Sequence, residues 1–472
     1  WRRIGGGDGM YVQVDPRDDR TTYLGLQFGF YFRMGKGPRR PVRPRDALGE
    51  PALRYNWSSP ILLSEHNADI LYFGANKLYR SLDQGESWQA ISEDLSRSEM
   101  RGDVPFGTLT TLAESSLEFG LLWAGTDDGY LHVTDDGGRE WREVSGSLPK
   151  DRWVTRVEAS RFARDRAYAS LSGYRDDDIA AYLYVTEDLG ATWTSLADGL
   201  PAEAINVVRE DPVNEEVLYV GTDRGAYVSL DRGATWQALP GNLPNVPVHD
   251  LIVHPREREL VAGTHGRSIY ILDVLPIQEL SAEVRDSPVH LFSVEDVAYD
   301  RSWRSRRSPW FRDPTSEPTL EIPFWSAADG QAELFVRDSE GRDLRRLELA
   351  AKRGINTFTW DLLLDESLAQ EAETAALAEE TEGDEAPRGK KKRGKAKTEE
   401  KADAEASTKG RRAKTPWAEA VRLDRPLYVT PGSYSLVVRT AGGEAQTELM
   451  VSPPEPRPPR MPKEPKIRGQ KD

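Results

Sequence analysis

Three aspartates and six basic or aromatic side chains stand where they could do chemistry. Asp128 lies in Gly125 to Gly129 (GTDDG), Asp177 in Ser172 to Ala180 (SGYRDDDIA) and Asp223 in Gly221 to Gly225 (GTDRG). Carboxylates gathered from separate loops can act as acid and base, and oxygen-rich clusters suit a hard cation such as calcium. The spaced aspartate loop with a fixed terminal glutamate is absent, so no metal site is assigned and no cofactor is expected, with calcium the one ion these acids would suit. Trp153, Arg175, Arg224, His249, His265 and Arg267 are the candidates for gripping a ligand, Arg267 in particular an anionic one. Plainer explanations exist. Asp and Gly are ordinary turn formers, and a lone histidine is usually a hydrogen-bonded structural residue. The run Asp176-Asp177-Asp178 fits a turn less well, because adjacent acids repel unless solvated, paired or bound to a cation.

These loops are spaced by a repeat. Ser81, Asp83, Gly85 and Trp88 recur as Thr134, Asp136, Gly138 and Trp141, as Thr186, Asp188, Gly190 and Trp193, and as Ser229, Asp231, Gly233 and Trp236. The pattern is S/T-x-D-x-G-x-polar-W, and the tryptophans lie 53, 52 and 43 residues apart. That spacing suits one four-stranded propeller blade. Within the turn, hydroxyl and carboxylate bond backbone groups, Gly permits a left-handed backbone, and Trp packs between blades. These residues therefore read as structural. Apolar pairs around a Gly precede the turns (Leu71 to Gly74, Leu122 to Gly125, Leu218 to Gly221), and a short alternating strand follows each Trp.

The repeat resembles the Asp-box, or bacterial neuraminidase repeat, β-propeller family, and the longer stretches resemble bacterial proteins described as sortilin-like or glycosyl-hydrolase-like. The resemblance covers about residues 1–273. It implies an all-β chain with the boxes between the third and fourth strands of each blade. It also implies a secreted or periplasmic protein. Six strand sets are expected, near 10–43, 60–92, 109–145, 155–197, 206–239 and 249–273. The last lacks a fourth strand. Trp1 to Ile4 could supply it, or the blades could join upstream blades of a longer parent, the reading we favour. In such blades the boxes mark one face. The loops carrying Asp128, Asp177, Asp223, His265 and Arg267 then share the other, with the connections through Trp153 and His249.

Beyond Pro276 the pattern changes. LEIPFWSA, AELFVRD and INTFTWDLL, with PGSYSLVVRTAGGEAQTELMVS, predict an immunoglobulin-like β-sandwich over 276–365 and 417–452, with Gly442-Gly443 as a tight turn. Between its halves lies a charged insert, 366–416, expected to be disordered apart from a nascent helix over Leu368 to Glu380. A Pro-rich basic tail occupies 453–472.

The bulk properties narrow the function. The chain has 472 residues, no cysteine and a formal net charge of -15, so disulfides and thiolate chemistry are excluded and broad nucleic-acid binding is not expected. No apolar run approaches the roughly 20 residues needed to span a bilayer. Three functions stay open: a propeller that binds a protein, peptide or glycan; a glycoside hydrolase; or a structural module of a surface assembly. The hydrolase needs two carboxyl groups roughly 5 to 10 Å apart. Asp128, Asp177 and Asp223 are its candidates, and the arginine triad of a sialidase is missing.

Overall fold

The computed structural model describes residues 4–8, 10–18, 20–35, 37–46, 48–97, 106–239, 243–300, 303, 317–383 and 426–454. The chain divides into two compact units, Trp1–Gln278 and Glu279–Asp472.

The first unit is a β-propeller. Its described residues form six small antiparallel sheets in chain order, five of four strands and a last one of three. Blade 1 spans residues 12–41, blade 2 61–90, blade 3 109–143, blade 4 153–195, blade 5 205–238 and blade 6 248–273. The second strands Leu71–Gly74, Leu122–Thr126 and Leu218–Thr222 are buried throughout. Covered on both faces by neighbouring blades, they are apolar runs rather than alternating ones. The fourth strands are two-residue, exposed edges, which limits their use as templates for further pairing.

The repeated turns join each blade to the one before it. Ser81 Oγ accepts from Gly85 N at 2.8 Å and donates to Asp83 Oδ1 at 2.8 Å, while Ser87 donates to both oxygens of Asp83. These bonds, the Ser87 hydroxyl foremost, hold the Asp83 carboxyl down at about 2. Thr186/Asp188 and Ser229/Asp231 repeat the pattern. Gly138 sits at φ 91, and a Cβ there would lie 2.7 Å from the Ile91 carbonyl of the preceding blade. Trp141 Nε1 donates to that same carbonyl at 2.8 Å, Trp193 Nε1 to Val144 O and Trp236 Nε1 to Leu196 O. Trp88 packs in the same way, but its buried Nε1 finds no partner among the described residues; the preceding blade 1 has no boxed fourth strand.

Blade 6 ends the series with one bare face. Leu251, Val253, Leu260 and Ala262 pack towards blade 5, whereas Ile252, Ile269 and Ile271 are each more than half exposed. Trp1 to Arg3, the expected fourth strand, lie outside the described residues, and Ile4 is exposed and in no strand.

The second unit packs a three-stranded sheet (Val289–Leu291, Leu320–Ser326, Gly354–Trp360) against a five-stranded one. The latter comprises Val297–Ala298, Gly443–Ser452, Gly432–Thr440, Gly330–Arg337 and Asp343–Ala351. Two details differ from the sequence reading. Thr440 pairs with Gly443, so the tight turn is Ala441-Gly442. The insert begins with a helix, Glu366–Gly383, whose Ala369 and Ala372 are buried in the sandwich core. Alanines small enough to sit against a sheet order this stretch despite its polar composition. Residues 384–425 and 455–472, which hold the rest of the expected insert, the start of the second sandwich stretch and most of the tail, lie outside the described residues. No helix among the described residues is long and apolar enough to cross a membrane.

Candidate functional site

The innermost strands of four blades share one irregularity. Register shifts interrupt the ladder at Gly125/Thr126 in blade 3, Val154/Arg156 in blade 4, Ile205/Val207 in blade 5 and Val248/Asp250 in blade 6. The unpaired residues are Thr110, Thr155, Asn206 and His249. A bulge re-aims a side chain and bends its strand. All four line one bowl of about 620 Å3 at the end of the propeller axis. Thr110 and Thr155 also tie neighbouring blades together, donating to Val154 O at 2.7 Å and Ile205 O at 2.9 Å.

Around the bulged residues stand Trp153, Arg156, Arg175, Asp223 and His265. Arg175 rides on a short 3-10 turn, Tyr174–Asp176, between two strands of blade 4. Its guanidinium carbon lies 3.9 Å from the centroid of the Trp153 ring. It forms no hydrogen bond or ion pair among the described residues, and crowding by the bowl walls lowers its pKa despite the pull of Asp127 and Asp176. The His249 and His265 rings stand 5.0 Å apart. Burial, and then His265 beside it, lower the His249 pKa. Asp223 accepts from Asn206 Nδ2 at 3.0 Å.

Arg156 and Asp250 lie below the rim. Arg156 Nη2 donates to Asp250 Oδ1 at 2.7 Å, but its Nε is buried without a partner. Arg209 reaches Glu158 Oε2 at 2.5 Å and Asp250 at 3.4 Å. Burial pushes the Asp250 carboxyl up; Arg156 and Arg209 outweigh it, and the net shift is downward.

A second cavity of about 450 Å3 adjoins the bowl, sharing Asn56, Trp153, Ser172 and Arg175 with it. Asp128 lines it, 3% exposed, accepting from Thr126 Oγ1 and Arg97 N. Asp127 does too, and burial pushes its carboxyl up to about 6.

The sequence candidates thus separate. Trp153, Arg175, Asp223, His249 and His265 meet in the bowl, and Asp128 lines the neighbouring cavity. Asp177, left-handed at the end of its turn, Arg224 and Arg267 line neither. The three aspartates expected to supply a carboxylate pair therefore share no single cavity. Thr155, Asn206 and Arg156 were missed, although a signal was present. Leu109-Thr110, Val154-Thr155, Ile205-Asn206 and Val248-His249 place a polar residue at one fixed offset in four repeats. No group of three or more acidic or histidine side chains able to hold a metal ion occurs among the described residues.

The first unit is, by its sheets, an all-β propeller with an axial bowl. No protein-family profile matches the chain, and no curated protein matches it. Among solved structures it is similar to a GH74 xyloglucanase from Xanthomonas campestris, at 19% identity and a TM-score of 0.44, over 56% of this chain and 44% of that one. It is also similar to the GH74 enzyme of Niastella koreensis, at 13% identity and TM-score 0.42, over 68% and 50%. A third is PorZ, a surface component of the type-IX secretion system of Porphyromonas gingivalis, at 10% identity and TM-score 0.42, over 95% and 52%. The chain spans about half the length of these proteins.

Proposed function

We propose that this chain is a binding propeller whose axial bowl takes a carboxylate-bearing segment of a protein, peptide or glycan. The observation that carries this reading is Arg175. A guanidinium stacked on Trp153, with no hydrogen-bond acceptor among the described residues, is a ready site for an anionic group, because its planar fork matches a carboxylate in two places. The paired rings of His249 and His265 add polar groups nearby. In a chain of net charge -15 such a bowl favours anions locally against the overall field.

The test is binding of an array of carboxylate-bearing peptides and glycans to the full chain. Arg175→Ala should weaken the retained ligand by about 1.5 to 3 kcal/mol, the value of a charged hydrogen bond. Unchanged affinity in that variant would remove the reading. The hydrolase alternative predicts product release from oligosaccharides, and its expected carboxylate pair does not share one cavity.

A further inference from the structure

We propose that the smaller cavity beside the bowl takes a cationic side chain, so that the ligand is a peptide carrying a lysine or arginine close to its carboxylate. This rests on the reading of the bowl as the carboxylate site and narrows its ligand from three classes to one.

The two cavities share four wall residues but differ in chemistry. The smaller one is walled by Phe28, Trp57, Phe106 and Trp153, brought together from four separate stretches of chain. Phe28 and Trp57 meet edge to face at 4.9 Å, and Phe28 holds a left-handed backbone, φ 57, to do so. Trp57 keeps 48% of its surface exposed.

The acidic side of the cavity supplies the sign. Asp127 is 3% exposed and accepts from Thr108 N at 2.8 Å and Thr108 Oγ1 at 2.6 Å. It enters no ion pair among the described residues. Burial, opposed by the Thr108 hydrogen bonds and reinforced by Asp128, pushes its carboxyl up to about 6. Asp128, Asp151 and Asp176 also line it, the last two exposed. Aromatic faces beside a desolvated acid are where an ammonium or guanidinium gains both cation–π and Coulomb attraction.

Opposite charges in adjoining cavities discriminate among ligands. A neutral glucan carries neither charge, and an acidic glycan only the negative one. A peptide carries both on residues about 3.3 Å apart along an extended chain.

The experiment exposes the full chain to randomised hexapeptides with a free C-terminal carboxylate and sequences the retained pool. The best binder is then remade with norleucine for its basic residue, and separately as its C-terminal amide. Enrichment in lysine or arginine is expected, with norleucine binding at least tenfold weaker. Asp176→Asn and Trp57→Ala, both exposed positions, should shrink that tenfold difference while leaving the unfolding temperature unchanged. Equal affinity of the norleucine peptide, or no enrichment, overturns the cation site alone if the amide still binds tenfold weaker. Equal affinity of the amide overturns the carboxylate reading instead. Retention of no peptide, or of an oligouronate only, overturns the peptide proposal.

Discussion

Arg156 of the fourth blade donates to Asp250 of the sixth at 2.7 Å, reaching past the fifth blade to do so. The bulge at Val154/Arg156 and its counterpart at Val248/Asp250 turn the two side chains towards one another. Removing the acid in Asp250→Ala would strand the guanidinium of Arg156, whereas Arg209 keeps its pair with Glu158. Breaking a fully buried pair costs about 3 to 5 kcal/mol, but half of the Asp250 side chain is open to the channel, so about 1 to 2 kcal/mol is expected. Urea unfolding at pH 7 measures it. Because the carboxyl is held below its ordinary range, its contribution is present above the unfolded pKa of about 3.9 and is lost as pH falls through the folded value. A wild-type to Asp250→Ala difference independent of pH would contradict this.

Two tryptophans in equivalent turns should respond differently to one substitution. Trp141→Phe deletes the hydrogen bond to Ile91 O, and Trp88→Phe deletes an indole N–H that has no partner. Both lose ring volume, so their difference isolates the bond. Trp141→Phe should cost about 1 kcal/mol more. Equal losses in thermal or urea unfolding would show that the indole bond is energetically silent.

Gly221 and Gly263 occupy the same place in their blades but meet different neighbours. A Cβ on Gly221 would lie 2.7 Å from Val248 O of the next blade, whereas on Gly263 the nearest atom is 3.6 Å away. Gly221→Ala should cost about 1 to 3 kcal/mol through overpacking. Gly263→Ala should be neutral or stabilise by about 0.5 kcal/mol, since Gly weakens a strand interior. Comparable destabilisation by both would mean that the blade 6 face is covered.

Asp127 should titrate at about 6, with burial as the main cause. With its folded pKa raised, the native state holds the proton between about pH 4 and 6 while the unfolded chain has lost it. Stability therefore falls as pH rises through that window. Carboxyl NMR should show a group titrating near 6 that disappears in Asp127→Asn. Binding of a lysine-containing peptide should lower that midpoint, since a nearby cation favours the ionised form. A midpoint near 4 in the free protein would dispose of both expectations.

The propeller was legible in the sequence because its signals are local. Ser81, Asp83, Gly85 and Trp88 lie within eight residues, and hydrogen bonds within the turn dictate their types. Four copies multiply a weak pattern into a strong one, and the buried second strands announce themselves as apolar runs. The face opposite the boxes was expected from the up-and-down order of strands in a blade, with the boxes placed in the turn between its third and fourth strands.

Which loop side chains meet was decided only by tertiary structure. Asp177, Arg224 and Arg267 sit in the same kinds of loop as Arg175, Asp223 and His265, yet line neither cavity. Convergence depends on the curvature of six sheets around an axis and on single-residue bulges, which shift a side chain by one pleat and show in the sequence only as a polar residue at a fixed offset in four repeats. Thr155, Asn206 and Arg156 entered the bowl by that route. The same holds for Ala369 and Ala372, whose composition predicts a solvated helix and whose burial depends on an apolar sheet surface supplied from far away in sequence.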